Sequence, residues 1–442
     1  MVEANLKIIT ELKLVLEEVA NNKEVKSLFI SSEQAFSRER KLTIQRLIGI
    51  MINMPKRSLS IELKDFFDIL NDKKPATKGA FSLQRSKLLP VFFQVWNNFL
   101  IDGFYRHYED KIKRWKGFRL LAVDGSTANL INKKDVVAFF GTHDNQHSYT
   151  PMARIMQAYD VLNDIIVLSD IYPIKLSEKA IINSQVDNLF SDSLTLFDRS
   201  FPSYELMYLM INAEKPRHFV IRCKADFNTE VKQFKRSRKN SKTIELKATS
   251  YAIAGLRKKG FIVTAQTTIK VRMVKIKLSS GEIEILLTNL YNEQLYTIDD
   301  LNYLYGMRWG IETSYGMQKN QLQLEQFSGH RVICIQQDFH ASVFVANLQS
   351  LINKQCEGYL QKINLKRKYN YKINRNVSWG ALKNNIVKLF LNNEPLDLLL
   401  KLQCIFERST EPIRPGRQYL RTIKVKFRRG KYRTLTNYKR AI

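Results

Sequence analysis

The sequence is poor in the residues that build disulfides and zinc sites. Its 442 residues include six histidines and four cysteines. The cysteines are widely separated and form no pair at zinc-ligand spacing: Cys223, Cys334, Cys356 and Cys404. Scattered thiols of this kind are typical of proteins in a reducing compartment. The composition argues against a disulfide framework and a structural zinc site, and it predicts a cytoplasmic protein.

Long apolar runs are also missing. No stretch approaches the roughly 18–20 apolar residues that a membrane-spanning helix needs. The amino-terminal segment MVEANLKIITELKLVLEE mixes acidic, basic and apolar residues as an amphipathic helix does, and it does not resemble a secretory signal. The sequence therefore predicts no membrane-spanning segment.

Acidic residues are outnumbered. The chain has 42 Asp and Glu against 71 Lys and Arg, which gives a formal net charge of +29. An excess of this size favours a polyanionic partner, with nucleic acid as the first candidate and an anionic membrane surface as the second. The hydrophobic fraction of 44% allows a sizeable core and excludes a generally disordered chain.

The positive charge is dense at the carboxyl-terminal end. Residues 408–442 contain twelve Lys or Arg, including Arg428 and Arg429, and one acidic residue, Glu411. Aromatic residues are interleaved with these cations, a pattern that suits binding of a phosphate backbone with some base stacking. The alternative is a disordered tail that only improves solubility.

Residues 1–110 have mostly helical periodicity. Phe36–Met54 is predicted to form one helix that ends near Pro55. Basic residues then surround a further short helix: Lys78, Arg85 and Lys87. Short helices with such cations favour a helix-turn-helix-like DNA-binding domain. The alternative is that these cations only solvate a helical bundle.

From Phe118 onward, strand-like runs alternate with helices, which predicts an α/β sheet. The apolar run RLLAV ends at Asp124, and the short apolar run LTLF ends at Asp198. Residues 225–280 then alternate as strands do and carry many basic residues, which predicts a mostly β insertion. This insertion either contacts DNA or is a half-buried sheet with a basic outer face.

The segment YGMRWGIETSYGMQK places four functional side chains at helical spacing: Tyr305, Arg308, Glu312 and Lys319. At roughly 100° per residue, the four lie within about 60° of one another on a helix. The segment is therefore predicted to be one helix with a polar edge. The alternative is an ordinary solvated face with an Arg308–Glu312 pair.

Three carboxylates are candidate metal ligands. Asp124 and Asp198 follow strands, and Glu312 lies on the polar helix edge. Carboxylate oxygens without a Cys or His set suit Mg²⁺ or Mn²⁺. Two such ions would activate a water or a 3′-hydroxyl and stabilise the leaving oxygen in a phosphoryl transfer. A strand-end Asp considered alone is more often a turn former, so the prediction depends on the combination of the three.

These motifs resemble those of insertion-sequence DDE transposases of the "insertion sequence four" type. Asp124 lies in VDGS and Asp198 in FDRSFPS. The polar helix edge matches that family's Y-x2-R-x3-E-x6-K signature at every spacing. The similarity extends to FSRERKL, AFSLQRSKL and the basic carboxyl-terminal end, so that it covers nearly the whole chain. Two departures are Ser200, where the family usually has Gly, and Gln337-Asp338, where it commonly has Gln-Glu.

The resemblance implies a division of the chain into four parts. An amino-terminal helical DNA-binding domain would occupy residues 1–110. A ribonuclease H-like core would comprise residues 111–224 and 281–345, interrupted by the β-rich insertion at 225–280. Residues 346–442 would form a helical and basic DNA-contact region.

The resemblance also implies the reaction and the partners. The catalytic and metal-binding residues would be Asp124, Asp198 and Glu312, and the other three signature residues would hold DNA. The protein would nick double-stranded DNA at the element's terminal inverted repeats, form a hairpin, and join the ends to target DNA as a homodimer in a synaptic complex. It would act in a bacterial cytoplasm, on the nucleoid when bound. The alternatives are a repressor-like or catalytically dead DNA-binding protein, and an endonuclease that does not join strands.

Overall fold

The computed structural model describes residues 1–38, 40–53, 56–145, 148–224, 226–277, 281–392 and 394–414. For residues 144, 145 and 148 only the backbone is considered. The predicted DNA contacts Arg428 and Arg429, with most of the basic tail, lie outside the described residues.

The helices of this part of the chain are, in order, α1 (Val2–Asn21), α2 (Lys23–Ser27), α3 (Ile44–Ile52), α4 (Leu59–Ile69), α5 (Lys78–Arg85), α6 (Val91–His107), α7 (Lys134–Phe140), α8 (Glu178–Gln185), α9 (Tyr204–Asn212), α10 (Thr229–Arg236), α11 (Ser250–Lys258), α12 (Ile298–Met307), α13 (Trp309–Asn320), α14 (Val332–Lys354), α15 (Glu357–Asn364), α16 (Arg375–Leu391) and α17 (Pro395–Arg408). Short 3₁₀ helices cover Glu109–Lys111 and Val186–Asn188. None of the described helices combines the length and hydropathy that crossing a bilayer requires.

The strands are β1 (Arg119–Asn129), β2 (Thr142–Asn145), β3 (Ser148–Asp160), β4 (Ile165–Pro173), β5 (Ser193–Phe197), β6 (His218–Cys223), β7 (Ser241–Lys247), β8 (Thr268–Lys277), β9 (Ile283–Thr288), β10 (Tyr371–Ile373) and β11 (Thr410–Pro412). The first nine form one sheet in the order β2-β3-β1-β5-β6-β9-β8-β7, with β4 paired to β3. β1, β5 and β6 are parallel neighbours, whereas β9, β8 and β7 continue the sheet antiparallel. The predicted α/β class is confirmed as a mixed sheet with many helices.

The chain divides into two compact units. The helical unit comprises Met1–Asp110, Asn129–Phe139 and Gln318–Ile442, and the sheet unit comprises Lys111–Ala128 and Phe140–Met317. The predicted four-part division by function stays a prediction.

The sheet unit has apolar side chains on both faces of its central strands. All five residues of β5 are buried, as expected for a strand that is covered on both sides. On β1, Leu120 belongs to one apolar cluster, and Leu121 and Val123 belong to another. Because successive side chains of a strand point to opposite faces, this alternation places apolar residues on both faces of β1.

The helical unit has a core that residues from both ends of the chain share. Trp96 on α6 is fully buried and stacks on Phe344 of α14 at 4.0 Å between ring centroids. The indole N–H of Trp96 donates to the carbonyl of Leu12 on α1. The helices before residue 110 and those after residue 318 therefore depend on each other for burial.

Two sequence predictions need correction here. Among the described residues of the predicted helix Phe36–Met54, only Ile44–Ile52 are helical, because the Thr43 side chain caps α3 by accepting from the Arg46 N–H. The insertion at 225–280 is not mostly β: it contains α10 and α11 as well as β7 and β8. Asn228 and Thr249 cap those two helices, a signal that the basic alternating pattern obscured. Its two strands extend the central sheet.

Candidate active site

The register of two parallel strands brings Asp124 and Asp198 together. Val123 on β1 lies opposite Phe197 on β5. Asp124 and Asp198 are the next residues along these neighbouring strands, so both carboxylates lie at the same edge of the sheet. The carboxyl ends of parallel strands are where α/β sheets place their functional groups. The two aspartates are therefore neighbours. Only Asp198 follows the end of its strand, whereas Asp124 lies within β1, which continues to Asn129, and this corrects the predicted strand end at Asp124.

The signature segment is not one uninterrupted helix. α12 ends at Met307 and α13 begins at Trp309, with Arg308 between them in a helical backbone conformation. The Arg308 N–H donates to the carbonyl of Tyr305 at 3.2 Å, three residues back, so the turn at this point is tighter than in an α-helix. The structure thus corrects the predicted single helix to two helices joined at Arg308.

Arg308 lies between two of the candidate ligands. Its Nη2 donates to Glu312 Oε1 at 3.0 Å, and its Nη1 lies 3.6 Å from Asp124 Oδ2. The Arg308 side chain is only 3% exposed. The alternative of an ordinary solvated face therefore does not describe this edge. The guanidinium also lies over the ring of Trp309, at 5.0 Å from its centroid.

The phenol of Tyr305 is tied to the second aspartate. Its hydroxyl donates to Asp198 Oδ1 at 3.4 Å, and Arg222 on β6 is a further hydrogen-bond partner of the same hydroxyl. Arg222 in turn pairs with Glu284 on β9. Burial raises the pKa of Tyr305 above its ordinary value, so the phenol stays protonated and serves as a donor. Arg222 and Glu284 were not predicted from the sequence. The only signal for Arg222 is that it is a charged residue in the apolar strand HFVIRC.

A second tyrosine fixes the backbone of β1. Tyr315 on α13 is buried, and its hydroxyl donates to the carbonyl oxygen of Asp124 at 2.9 Å. Burial raises the pKa of Tyr315 well above its ordinary value. The helix that carries Glu312 is thereby anchored to the strand that carries Asp124. No feature of the sequence marked this contact.

Asp124 is a perturbed carboxylate. Burial raises its pKa to about 6, the Gly125 N–H and Arg308 counteract this, and Glu178 and Asp198 add to it. One backbone N–H and one cation do not compensate for the desolvation of the Asp124 carboxyl together with two neighbouring carboxylates. Such perturbation in a cluster of polar groups is typical of functional sites.

The donor chemistry of the site fits a hard divalent cation, although the ligands are not assembled around one point. Among the described residues, no group of three or more His, Cys, Asp and Glu is disposed to hold a metal ion. The positive charge between Asp124 and Glu312 is that of Arg308. Its Nε and Nη1 are buried without a hydrogen-bond partner. The site therefore keeps donor capacity for an incoming anionic oxygen, such as a phosphate oxygen.

The lysines that were predicted to contact DNA differ in their exposure to solvent. Lys319 is half-buried near the end of α13 and falls in the helical unit. Lys78 is exposed at the start of α5, and Lys87 is half-buried after its end. Their proposed contact with DNA is compatible with these positions.

Arg85 is not at the surface, which corrects its predicted availability to DNA. Its side chain is 2% exposed. Its guanidinium donates to Gln337 Oε1, Asp338 Oδ1 and the carbonyl of Cys334, each at 2.7 Å, and also to Ser328. The Gln337-Asp338 pair, which departs from the family's Gln-Glu, is thus the partner of Arg85. The other departure, Ser200, lies in an exposed turn and has no positive φ, so its backbone does not require glycine.

Comparison with known proteins assigns the chain to a protein family. The profile of the family described as Transposase DDE domain matches residues 113–348, more than half of the chain, and this range includes Asp124, Asp198 and Glu312. The chain belongs to the transposase DDE domain family. The family resemblance found in the sequence motifs is thereby confirmed.

The DDE domain of this chain has relatives at low identity. Transposase InsG for insertion sequence element IS4, from Escherichia coli (strain K12), is 23% identical over 211 residues, which is 47% of this chain and 46% of that protein. Putative transposase InsZ from the same organism is 24% identical over 111 residues, which is 24% of this chain and 37% of that protein. The chain spans less than half the length of either relative.

A solved structure of a piggyBac transposase synaptic complex with hairpin DNA is 12% identical to this chain, with a TM-score of 0.43. The match covers 90% of this chain and 81% of the chain in that structure. A likeness at that score carries no argument.

The perturbed carboxyl of Asp124 in the DDE domain predicts a pH-dependent stability. Its pKa is about 6 in the folded protein and 3.8 in an unfolded chain, so the folded state binds the proton more tightly and loses stability as pH rises from about 4 to about 6. Without divalent metal, Asp124→Asn should raise the free energy of unfolding above pH 6 by on the order of 1–3 kcal/mol. Urea unfolding from pH 4 to 7.5 gives the stability difference between variant and wild type. This difference should grow from about pH 4 to about pH 6 and then level off. A difference that is independent of pH would contradict the raised pKa.

Proposed function

We propose that the protein is a DNA transposase that moves an insertion sequence by metal-dependent phosphoryl transfer. The observation that carries this proposal is that Arg308 contacts Asp124 and Glu312, and Tyr305 contacts Asp198, within a DDE domain. The mixed sheet, in which Asp124 lies on β1 and Asp198 directly follows its parallel neighbour β5, supports a ribonuclease H-like core. The name of the relative InsG supports an insertion-sequence element as the substrate.

Asp124, Asp198 and Glu312 would hold Mg²⁺ or Mn²⁺, with two ions as the proposed number. When bound, these ions would supply activation of a water or a 3′-hydroxyl and neutralise charge on the phosphate. The chain's own groups prepare the site: Tyr305 orients Asp198, and Tyr315 fixes the backbone at Asp124. Arg308, with unused buried donors, would bind a non-bridging phosphate oxygen.

DNA would be held by groups from several parts of the chain. At the active site these are Tyr305, Arg308 and Lys319, and elsewhere they are Lys78, Lys87, Arg428 and Arg429. Trp309, which is 51% exposed and lies beside Arg308, is a further candidate because an exposed indole can stack on an unpaired base. Residues 1–110 and 346–442 would supply further DNA-binding surface, and residues 225–280 would add a basic surface.

The partners would be double-stranded DNA that carries the element's terminal inverted repeats, and target DNA. A homodimer would hold two element ends together in a synaptic complex. The reaction would proceed by end nicking, a hairpin intermediate and strand transfer, on DNA of a bacterial nucleoid in the cytoplasm.

Binding and cleavage assays separate this proposal from its alternatives. The full chain is incubated with labelled element-end DNA and Mg²⁺, and the strands are resolved on a denaturing gel. A transposase nicks the DNA at the element end. A repressor-like or dead protein shifts the DNA in a native gel and leaves every strand intact, which would contradict the proposal. An endonuclease that cuts without joining would cleave the element end but yield no product joined to target DNA.

The salt dependence of DNA binding tests the role of the basic tail. Residues 415–442 contain ten Lys or Arg, and a deletion that begins at residue 415 preserves β11, the last described strand. Each tail cation that contacts a phosphate contributes about 0.9 to the slope of log K against log salt. The deletion should therefore lower the steepness of that slope by several units. A loss of affinity that is equal at every salt concentration would show that the tail acts through folding or dimerisation instead.

A further inference from the structure

A carboxylate that is not part of the DDE signature lies against the backbone next to Asp124. Gly125 follows Asp124 on β1, and a Cβ placed on it would lie 2.2 Å from Glu178 Oε1 and 2.4 Å from the Glu178 carboxyl carbon. No side chain fits at residue 125 while Glu178 keeps this position. The glycine is thus the reason that the Glu178 carboxylate can approach the catalytic strand so closely.

Glu178 is held in this place by its own element and by one arginine. It is the first residue of α8, whose amino-terminal end is capped by Ser177. Arg154 on β3 donates from Nη1 to Glu178 Oε1 at 2.6 Å, and its Nη2 donates to the carbonyl of Ile174 at 3.2 Å. The Glu178 side chain is 25% exposed. Its side-chain hydrogen bond goes through Oε1, so Oε2 keeps its capacity to accept.

The surroundings of Glu178 give a reason for this placement. Its charge acts on Asp124, which also has Asp198 as a neighbour. Like charges brought together in a partly buried place cost free energy unless a cation joins them. The cation that already lies there, Arg308, has two buried nitrogens that make no hydrogen bond, although one of them lies 3.6 Å from Asp124 Oδ2. A simple ion pair between α8 and β3 would not require the carboxylate to lie against Gly125.

We propose that Glu178 is a fourth carboxylate of the active site and acts as a positioning residue for the divalent metal. It would accept hydrogen bonds from water molecules bound to an ion that Asp124 and Asp198 hold. Mg²⁺ keeps several of its waters when it binds to protein, and groups that hydrogen-bond to the coordinated ligands and waters tune metal affinity. This inference rests on the proposed function, because it assumes that the two aspartates bind metal.

The test measures Mn²⁺ binding to the full chain without DNA, by the electron paramagnetic resonance signal of free Mn²⁺. Glu178→Gln keeps the shape of the side chain and removes its charge. It should weaken Mn²⁺ binding by about 10- to 100-fold, the usual effect of changing a group that supports metal ligands. Glu230→Gln is the matched control, because Glu230 lies in the first turn of another eight-residue helix and, like Glu178, pairs with one cation, Lys242. It should leave the affinity unchanged.

Gly125→Ala tests the same contact from the other side. The new methyl group would meet the end of the Glu178 side chain, which can rotate away, so the fold should survive. This variant should also weaken Mn²⁺ binding, and the double variant Gly125→Ala/Glu178→Gln should be no weaker than Glu178→Gln. Such non-additivity is expected when two changes remove one interaction. Circular dichroism of each variant verifies that the fold is retained.

The outcomes separate this inference from the proposed function. If Asp198→Asn weakens Mn²⁺ binding and Glu178→Gln binds Mn²⁺ as the control does, the metal site stands and the role of Glu178 is refuted. If neither Asp124→Asn nor Asp198→Asn changes the affinity, or if the wild type binds no Mn²⁺, the proposed metal site fails as well. A lower melting temperature of Glu178→Gln with unchanged Mn²⁺ affinity would assign Glu178 a purely structural role.

Discussion

Asp198→Asn is expected to abolish cleavage of element-end DNA while the protein still binds that DNA. Loss of a metal ligand removes charge stabilisation from the reacting phosphate, and we expect the cleavage rate to fall about a thousandfold or more. The fold should be retained, because Asp198 is half-buried and an Asn oxygen can still accept from the Tyr305 hydroxyl. Single-turnover cleavage on a denaturing gel gives the rate, and a native gel gives the affinity.

The control for this prediction is Asp187→Asn, which removes an exposed carboxylate from the 3₁₀ helix Val186–Asn188 of the same unit. Its cleavage rate should equal that of the wild type. Equal rates for Asp198→Asn and Asp187→Asn would show that Asp198 takes no part in the chemistry. Loss of both binding and cleavage in Asp198→Asn would point to damage of the fold.

Arg85→Ala is expected to cost about 3–5 kcal/mol of stability, because it leaves the buried carboxylate of Asp338 without its charged partner. The guanidinium also bonds Gln337 and the Cys334 carbonyl, so their loss adds to the effect. Urea unfolding should show a lower midpoint with an unchanged slope. The double variant Arg85→Ala/Asp338→Ala should be less destabilised than the sum of the two single variants.

Lys78→Ala on the same helix is the matched control for Arg85→Ala. Lys78 is exposed at the start of α5, so its loss should change stability by no more than about 0.5 kcal/mol. It should instead weaken DNA binding and reduce the salt dependence by about one unit. If Arg85→Ala were as stable as Lys78→Ala and bound DNA poorly, the structural role assigned to Arg85 would be wrong.

The sequence predicted the parts of the site that depend on local pattern. Asp124 and Asp198 were recognisable because each follows a short apolar run, and the parallel pairing of β1 with β5 brings the two together. The spacing of Tyr305, Arg308 and Glu312 predicted their common side of a helical segment, although the turn at Arg308 was not visible in it.

The groups that surround these residues could not be predicted, because their contacts depend on tertiary packing. Glu178 meets Gly125 only through the packing of α8 on the sheet. Tyr315 and Arg222 likewise find their partners across long sequence separations.

Arg85 was predicted to contact DNA, but the structure shows that it is buried. An arginine in a basic amphipathic segment is expected at the surface, since charged residues are rarely buried without a partner. Its partner Asp338 lies 253 positions away along the chain. A single sequence gives no sign of such a pairing. The same limit explains the insertion, where the capping residues Asn228 and Thr249 were outweighed by the alternating pattern of their neighbours.

The most direct measurement of the proposed function is strand transfer. Labelled element-end DNA, supercoiled target plasmid and Mg²⁺ are incubated with the full chain, and the products are resolved on a denaturing gel. The account predicts that the element's 3′ end becomes covalently joined to plasmid strands, that EDTA prevents this, and that Asp198→Asn yields no joined product. Cleaved ends that never join to the plasmid, or joined product that persists in Asp198→Asn, would contradict it.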